Sequence, residues 1–164
     1  MLMSSSAKVP QYFQDLIEFY PQSEGAGVAI FYQVTPPGVD LEQVALHQYQ
    51  TFLGQKWEQR SESWMRPWKR VYQRTRDVKA NFVGEMTAAT VLVGRHDQKW
   101  VLKLLRINSD DYVQAYTVLN AGFNCPEAEE FRVYSIGEDE EIQGLLGISR
   151  RRNGEILTLA LWDD

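Results

Sequence analysis

The chain predicts an α+β fold: an antiparallel sheet of about five to six strands with helices packed on one face. Three observations lead there. Helical stretches come in clusters and do not alternate singly with strands. Strand-like stretches are joined by tight turns, the firmest of them Asn153-Gly154 between two apolar runs. The length, 164 residues, suits a single domain that buries roughly two-thirds of its unfolded surface. Residues 1–164 are therefore read as one domain, with 1–9 small, polar and expected to be flexible.

The elements follow in order. Residues 10–20 form a short helix, opened near Pro10, closed by Pro21 and striped by Phe13, Ile17 and Tyr20. Residues 28–34 are apolar and β-prone, which reads as a buried or central strand. Thr35-Pro36-Pro37-Gly38 breaks the chain. Asp40 then caps a helix with Gln43 three positions on, a capping-box arrangement. Leu41, Ala45, Leu46, Tyr49, Phe52, Leu53 and Trp57 fall on its apolar face. A second helix is expected over 63–77, with Pro67 in its first turn. There Trp64, Trp68, Val71 and Tyr72 share one face and Arg66, Lys69, Arg70, Arg74 and Arg76 the other. The indoles are expected to point inward and the cations outward.

Residues 82–93 are rich in Thr and Val and read as a strand, with a helical alternative at 85–89. A loop at 94–98 leads to a strand at 99–107. Ser109 caps the next helix, and Asp110 and Asp111 suit the positive end of its dipole. Tyr112, Ala115, Tyr116, Leu119 and Phe123 form the inner face of that helix, and Gly122 is placed as its C-cap. Residues 131–136 form a strand, 137–141 an acidic turn, and 143–151 with 155–162 a hairpin. Gly144 and Gly147 inside it mark a bulge or a close contact.

Composition excludes several classes. No apolar run approaches the ~20 residues of a membrane span. The N-terminus lacks the basic start and apolar middle of a signal peptide. A single cysteine, Cys125, forbids an internal disulfide and suits a reducing compartment. A soluble, cytoplasmic protein is the expectation. Net charge is −5 but unevenly laid out. Residues 56–79 hold eight Lys/Arg against three Asp/Glu, and 109–149 hold nine Asp/Glu against Arg132 alone. Such a dipolar surface steers partners or neutralises itself within the fold.

No catalytic, metal or nucleotide motif is present. His47 and His96 lack an orienting partner and a nucleophile, and two histidines so spaced make no zinc signature. Cys125 sits near Glu127, Glu129 and Glu130 after a helix C-terminus, which disfavours a thiolate. The glycines form no phosphate loop, and no metal or cofactor is expected. The leading expectation is a non-enzymatic interaction or regulatory protein. Its charged surfaces would be Arg66, Lys69, Arg70, Arg74 and Arg76 and the acidic stretch Glu138, Asp139, Glu140 and Glu141, docking another protein. One alternative is nucleic-acid association through the basic helix 63–77. Rings and cations on opposite helix faces weaken it, because stacking and phosphate contact need both on one side. The other alternative is a small-ligand or enzyme pocket near Trp100, Tyr112 and Tyr116. Arg150, Arg151 and Arg152 before the hairpin turn either keep an edge soluble or pair with Glu138 to Glu141 across the neighbouring strand.

Overall fold

The computed structural model describes residues 9–20, 28–53, 68–74, 81–92, 112–138 and 141–162. The elements are α1 (Gln11–Phe19), β1 (Val28–Val34), α2 (Leu41–Leu53), β2 (Lys69–Gln73), α3 (Phe82–Leu92), α4 (Tyr112–Phe123), β3 (Ala128–Glu138), β4 (Glu141–Arg151) and β5 (Glu155–Trp162). The five strands make one antiparallel sheet in the order β1-β5-β4-β3-β2. The α+β class and the antiparallel sheet are as the sequence predicts.

The placement of the helices differs from expectation, because they cover both faces of the sheet. Alternate residues of a strand point to opposite faces, and two apolar clusters result. On the first face Ile30, Phe131, Val133, Leu145, Leu157 and Leu159 pack under α1, α3 and α4. On the second, Tyr134, Ile136, Leu146, Ile148, Ile156 and Ala160 pack against Leu41, Val44, Ala45 and Tyr49 of α2. Strands β4 and β5 are consequently buried on both sides and read as near-continuous apolar runs. The strand at 28–34, expected to be buried or central, lies at one end of the sheet order, with Val28 and Ile30 buried.

Two elements change type. Residues 69–73, expected within a helix, form β2, paired antiparallel to β3. A register shift between Arg70 and Tyr72 explains the misreading. A bulge turns two consecutive side chains to one side, so Val71 and Tyr72 both reach the first cluster while Trp68 packs against the second. That spacing imitates a helical stripe. Residues 82–92, expected as a strand with a helical alternative at 85–89, form α3. Asn81 caps it, accepting from the Gly84 N–H at 2.7 Å, and Phe82, Val83, Glu85, Met86 and Ala89 are buried at helical spacing.

Caps and turns elsewhere are local chemistry. Asp40 accepts from the Glu42 N–H at 3.1 Å, as an N-cap should. Gly122 lies inside the last turn of α4 and is not its cap. A Cβ there would stand 2.7 Å from a Leu157 methyl and 2.8 Å from one of Leu16, so its bareness lets α1, α4 and β5 approach. The β4–β5 hairpin turns through Arg151 to Gly154, closed by the Gly154 N–H on the Arg151 carbonyl at 3.0 Å. Of the turn residues Arg151 to Gly154, only Gly154 has positive φ, +89°, which matches a type I turn followed by a left-handed glycine. Gly144 faces the Tyr49 hydroxyl and Gly147 the Phe131 ring, close contacts where a side chain would intrude. The expected strand at 99–107 lies outside the described residues.

Candidate functional site

The charged side chains sort into those the fold uses and those it leaves. Seven Lys/Arg fall among the described residues: Lys69, Arg70, Arg74, Arg132, Arg150, Arg151 and Arg152. Five are committed to partners within the fold.

Arg74 is the deepest. The sequence places it in water, yet its side chain is 9% exposed against a fully buried Glu85. It donates through Nε at 2.7 Å and Nη2 at 2.6 Å to the two Glu85 oxygens, a bidentate pair. The same Nη2 donates to the Phe123 carbonyl at the end of α4, and the guanidinium lies 4.9 Å over the Phe131 ring. Glu85 accepts further from the Tyr72 hydroxyl at 3.1 Å and the Asn124 amide at 2.6 Å. Every charge in this knot is answered, which is the condition for a buried ion pair to persist. Burial, then the neighbouring Glu85, pushes the Tyr72 phenol up to about 12.

The hairpin arginines do not take the pairing with Glu138 to Glu141, one of their two readings. They pair with the opposite end of β3, away from 138–141. Arg150 binds Glu130 at 2.6 Å and donates to the Val39 carbonyl. Arg152 meets Glu129 at 2.7 Å. Arg151 lies 3.7 Å over the Tyr12 ring and donates to the Ala121 carbonyl of α4 at 2.8 Å. Its cation thus sits at the negative end of a helix dipole, where carbonyls lack intrahelical donors. Close by, Glu155 accepts from the Tyr12 and Tyr32 hydroxyls. Burial, then that bond, pushes Tyr32 up to about 12. Arg132 donates to the Tyr134 hydroxyl at 3.4 Å and stands 3.7 Å from Glu130.

Lys69 and Arg70 remain. Both are exposed, and neither has a carboxylate partner among the described residues. They open β2, the last strand in the sheet order. Register sets Lys69 opposite Ser135 and Arg70 opposite Tyr134. The pleat therefore turns Lys69 to the face of the first cluster and Arg70 to the face of the second. Beside them Trp68 stacks on Tyr134, centroids 4.8 Å apart and planes 13° from parallel. Its indole is half-buried in the second cluster, inward as expected.

Arg66, Arg76, Asp139, Glu140, Trp64 and Trp100 lie outside the described residues, as do the side chains of Tyr112, Glu138 and Glu141. The backbone pairs Glu138 with Glu141 at the β3–β4 turn, three positions beyond Ser135, or about 10 Å along the strand from Lys69. Tyr116 is half-buried against the first cluster. A cavity of about 320 Å³ opens elsewhere, between Pro126, Glu127 and the hairpin residues Arg151 to Asn153. The Glu127 carboxyl there is held below its ordinary value, by a backbone N–H first and the Cys125 thiol second. His47 is exposed on α2. Among the described residues no group of three or more His, Cys, Asp or Glu is placed to hold a metal, and no helix is long and apolar enough to cross a membrane.

No protein-family model, curated protein or solved structure matches this chain at a significant level.

Sequence reasoning missed Glu85 and Tyr72 as partners of Arg74. Glu85 alone among apolar neighbours was the one available signal, since a lone acid on a buried helix face needs a cation.

Proposed function

We propose that this is an interaction module that binds an acidic protein through the β2 edge, with Lys69 and Arg70 as the contact cations. The observation that carries the reading is the division of charge. Five described cations are held by carboxylates, carbonyls or rings within the fold, and Lys69 and Arg70 stand exposed without an acid among the described residues. Exposed cations of this kind raise the association rate of an acidic partner and set its register. The Glu138–Glu141 backbone pair lies along β3 from Ser135, and the acidic stretch 138–141 is proposed as a second contact of opposite sign. A partner matched to both would carry acid opposite β2 and base opposite the turn. No reacting group is part of this reading.

Nucleic acid is the lesser reading. Single-strand binding needs rings free to stack on bases. Trp68 is stacked on Tyr134, and the Tyr72 hydroxyl is held by Glu85.

Affinity capture from native lysate with the wild type and the Lys69→Glu/Arg70→Glu variant tests it. The expected result is one stoichiometric acidic protein retained by the wild type and lost with the variant. Equal capture by both proteins would end the proposal. So would retention of RNA or DNA alone at roughly 50 mM salt, where phosphate contacts are strongest.

A further inference from the structure

Resting on that reading, we infer that the partner docks as an extended acidic segment that adds a strand to the outer edge of β2. Three observations point this way. First, β2 ends the sheet order, and the backbone groups it turns away from β3 have no strand partner among the described residues. Backbone groups on such an edge are a ready template for another chain.

Second, Lys69 and Arg70 project from opposite faces of the sheet. A helix or duplex lying on one face would meet one cation and miss the other. A strand running along the edge meets both, because its own consecutive side chains also alternate above and below. The complement is a segment with two adjacent acids, set beside Lys69 and Arg70.

Third, the edge is guarded. Cations and a bulge are the usual devices that stop a sheet edge from pairing with stray apolar strands. Lys69, Arg70 and the register shift after Arg70 are those devices here. The same charges that repel a second copy of β2 attract an acidic strand, so the guard works as a filter. With β2 five residues long, only a few ladder bonds form, and the complex is weak and salt-sensitive.

The test uses the full chain with a capped peptide of paired glutamates separated by valine. A second peptide of the same sequence is N-methylated at alternate amides, which keeps its charge and removes the ladder donors. Binding is followed by amide resonances and by hydrogen exchange at β2. The expected result is binding of the first peptide with new protection of β2 amides, and at least tenfold weaker binding of the methylated peptide. Loss of binding by Lys69→Glu/Arg70→Glu, with unchanged thermal unfolding, completes it. Equal binding of both peptides without β2 protection overturns strand addition and leaves the acidic-partner reading standing. No binding of either peptide overturns strand addition, and the capture experiment above then decides whether the charge reading falls with it. Protection of β2 by self-association without peptide overturns it in favour of a second copy of this chain.

Discussion

Two arginine-rich regions of this molecule look alike in sequence and differ in structure. At the β4–β5 hairpin, three consecutive arginines take three separate jobs. Arg150 binds Glu130, Arg151 covers Tyr12 and closes the end of α4, and Arg152 meets Glu129. At β2 the cations divide. Arg74 is buried with Glu85, while Lys69 and Arg70 stand without a carboxylate among the described residues. Charge density along the chain therefore does not make a patch. Whether a cation is available depends on which carboxylates and helix-end carbonyls the register brings beside it. Lys69 and Arg70 lack an acid among the described residues because their cross-strand neighbours are Ser135 and Tyr134, neither of them acidic.

The largest effect expected lies at the buried end of β2. Glu85→Leu leaves the Arg74 guanidinium buried without its counter-ion, and removing one partner of such a pair costs about 3–5 kcal/mol. Urea unfolding measures it. The double variant Arg74→Met/Glu85→Leu is expected to recover most of the loss, because two apolar side chains replace a pair whose desolvation is costly. A Glu85→Leu cost under about 1 kcal/mol would mean that Arg74 reaches water easily. The contrast between Arg74 and Arg70 would then collapse.

At the hairpin the same measurement grades its three arginines. Arg150→Ala breaks a half-buried pair and a carbonyl contact, with an expected loss of about 1–2 kcal/mol. Arg152 is 77% exposed and Glu129 48%, so Arg152→Ala should cost about 0–0.5 kcal/mol. Equal losses would show that exposure does not rank these pairs.

How much of this could be read from the chain follows from which forces are local. Residues 28–34, 41–53, 112–123 and the Asn153-Gly154 hairpin were legible because periodicity, a cap or a turn residue fixes each one. Strand β2 was not, since its bulge sets Trp68, Val71 and Tyr72 at helical spacing. Helix α3 was not, since β-branched residues pointed one way and only the Asn81 cap and the buried spacing pointed the other. Helix α2 covering the second face was not, because an apolar stripe does not say which side of a sheet receives it. Of the site, Lys69 and Arg70 were legible as exposed cations. Their isolation was not, because it depends on where Glu85, Glu129 and Glu130 go.

Both regions also hold a tyrosine hydroxyl on a buried or half-buried carboxylate, and alkaline pH compares them. Tyr72 on Glu85 and Tyr32 on Glu155 are each raised to about 12 from an ordinary 10.0, first by burial. A raised folded value means that the stabilisation is complete below pH 10.0 and is lost as pH rises through about 12. The unfolding midpoint in urea should accordingly fall across that window. Tyr72→Phe should flatten part of the fall and Tyr32→Phe another part. A midpoint that stays level up to pH 12 would show that neither phenol is held as described.

The smallest effect expected is on stability at the exposed end of β2, and it sharpens the comparison most. Lys69→Glu and Arg70→Glu touch no carboxylate and unburden no core, so each should change the unfolding free energy by less than about 0.5 kcal/mol. Placing acid there adds like charge about 10 Å along the strand from the Glu138–Glu141 backbone pair, which is near the screening length at physiological salt. The reversal should therefore cost slightly more at low salt than at high salt. A loss as large as that of Glu85→Leu would mean that Lys69 and Arg70 hold the fold together as Arg74 does. Near-neutral stability with lost capture of the acidic partner would separate the two ends of one short strand, one end building the core and the other facing outward for recognition.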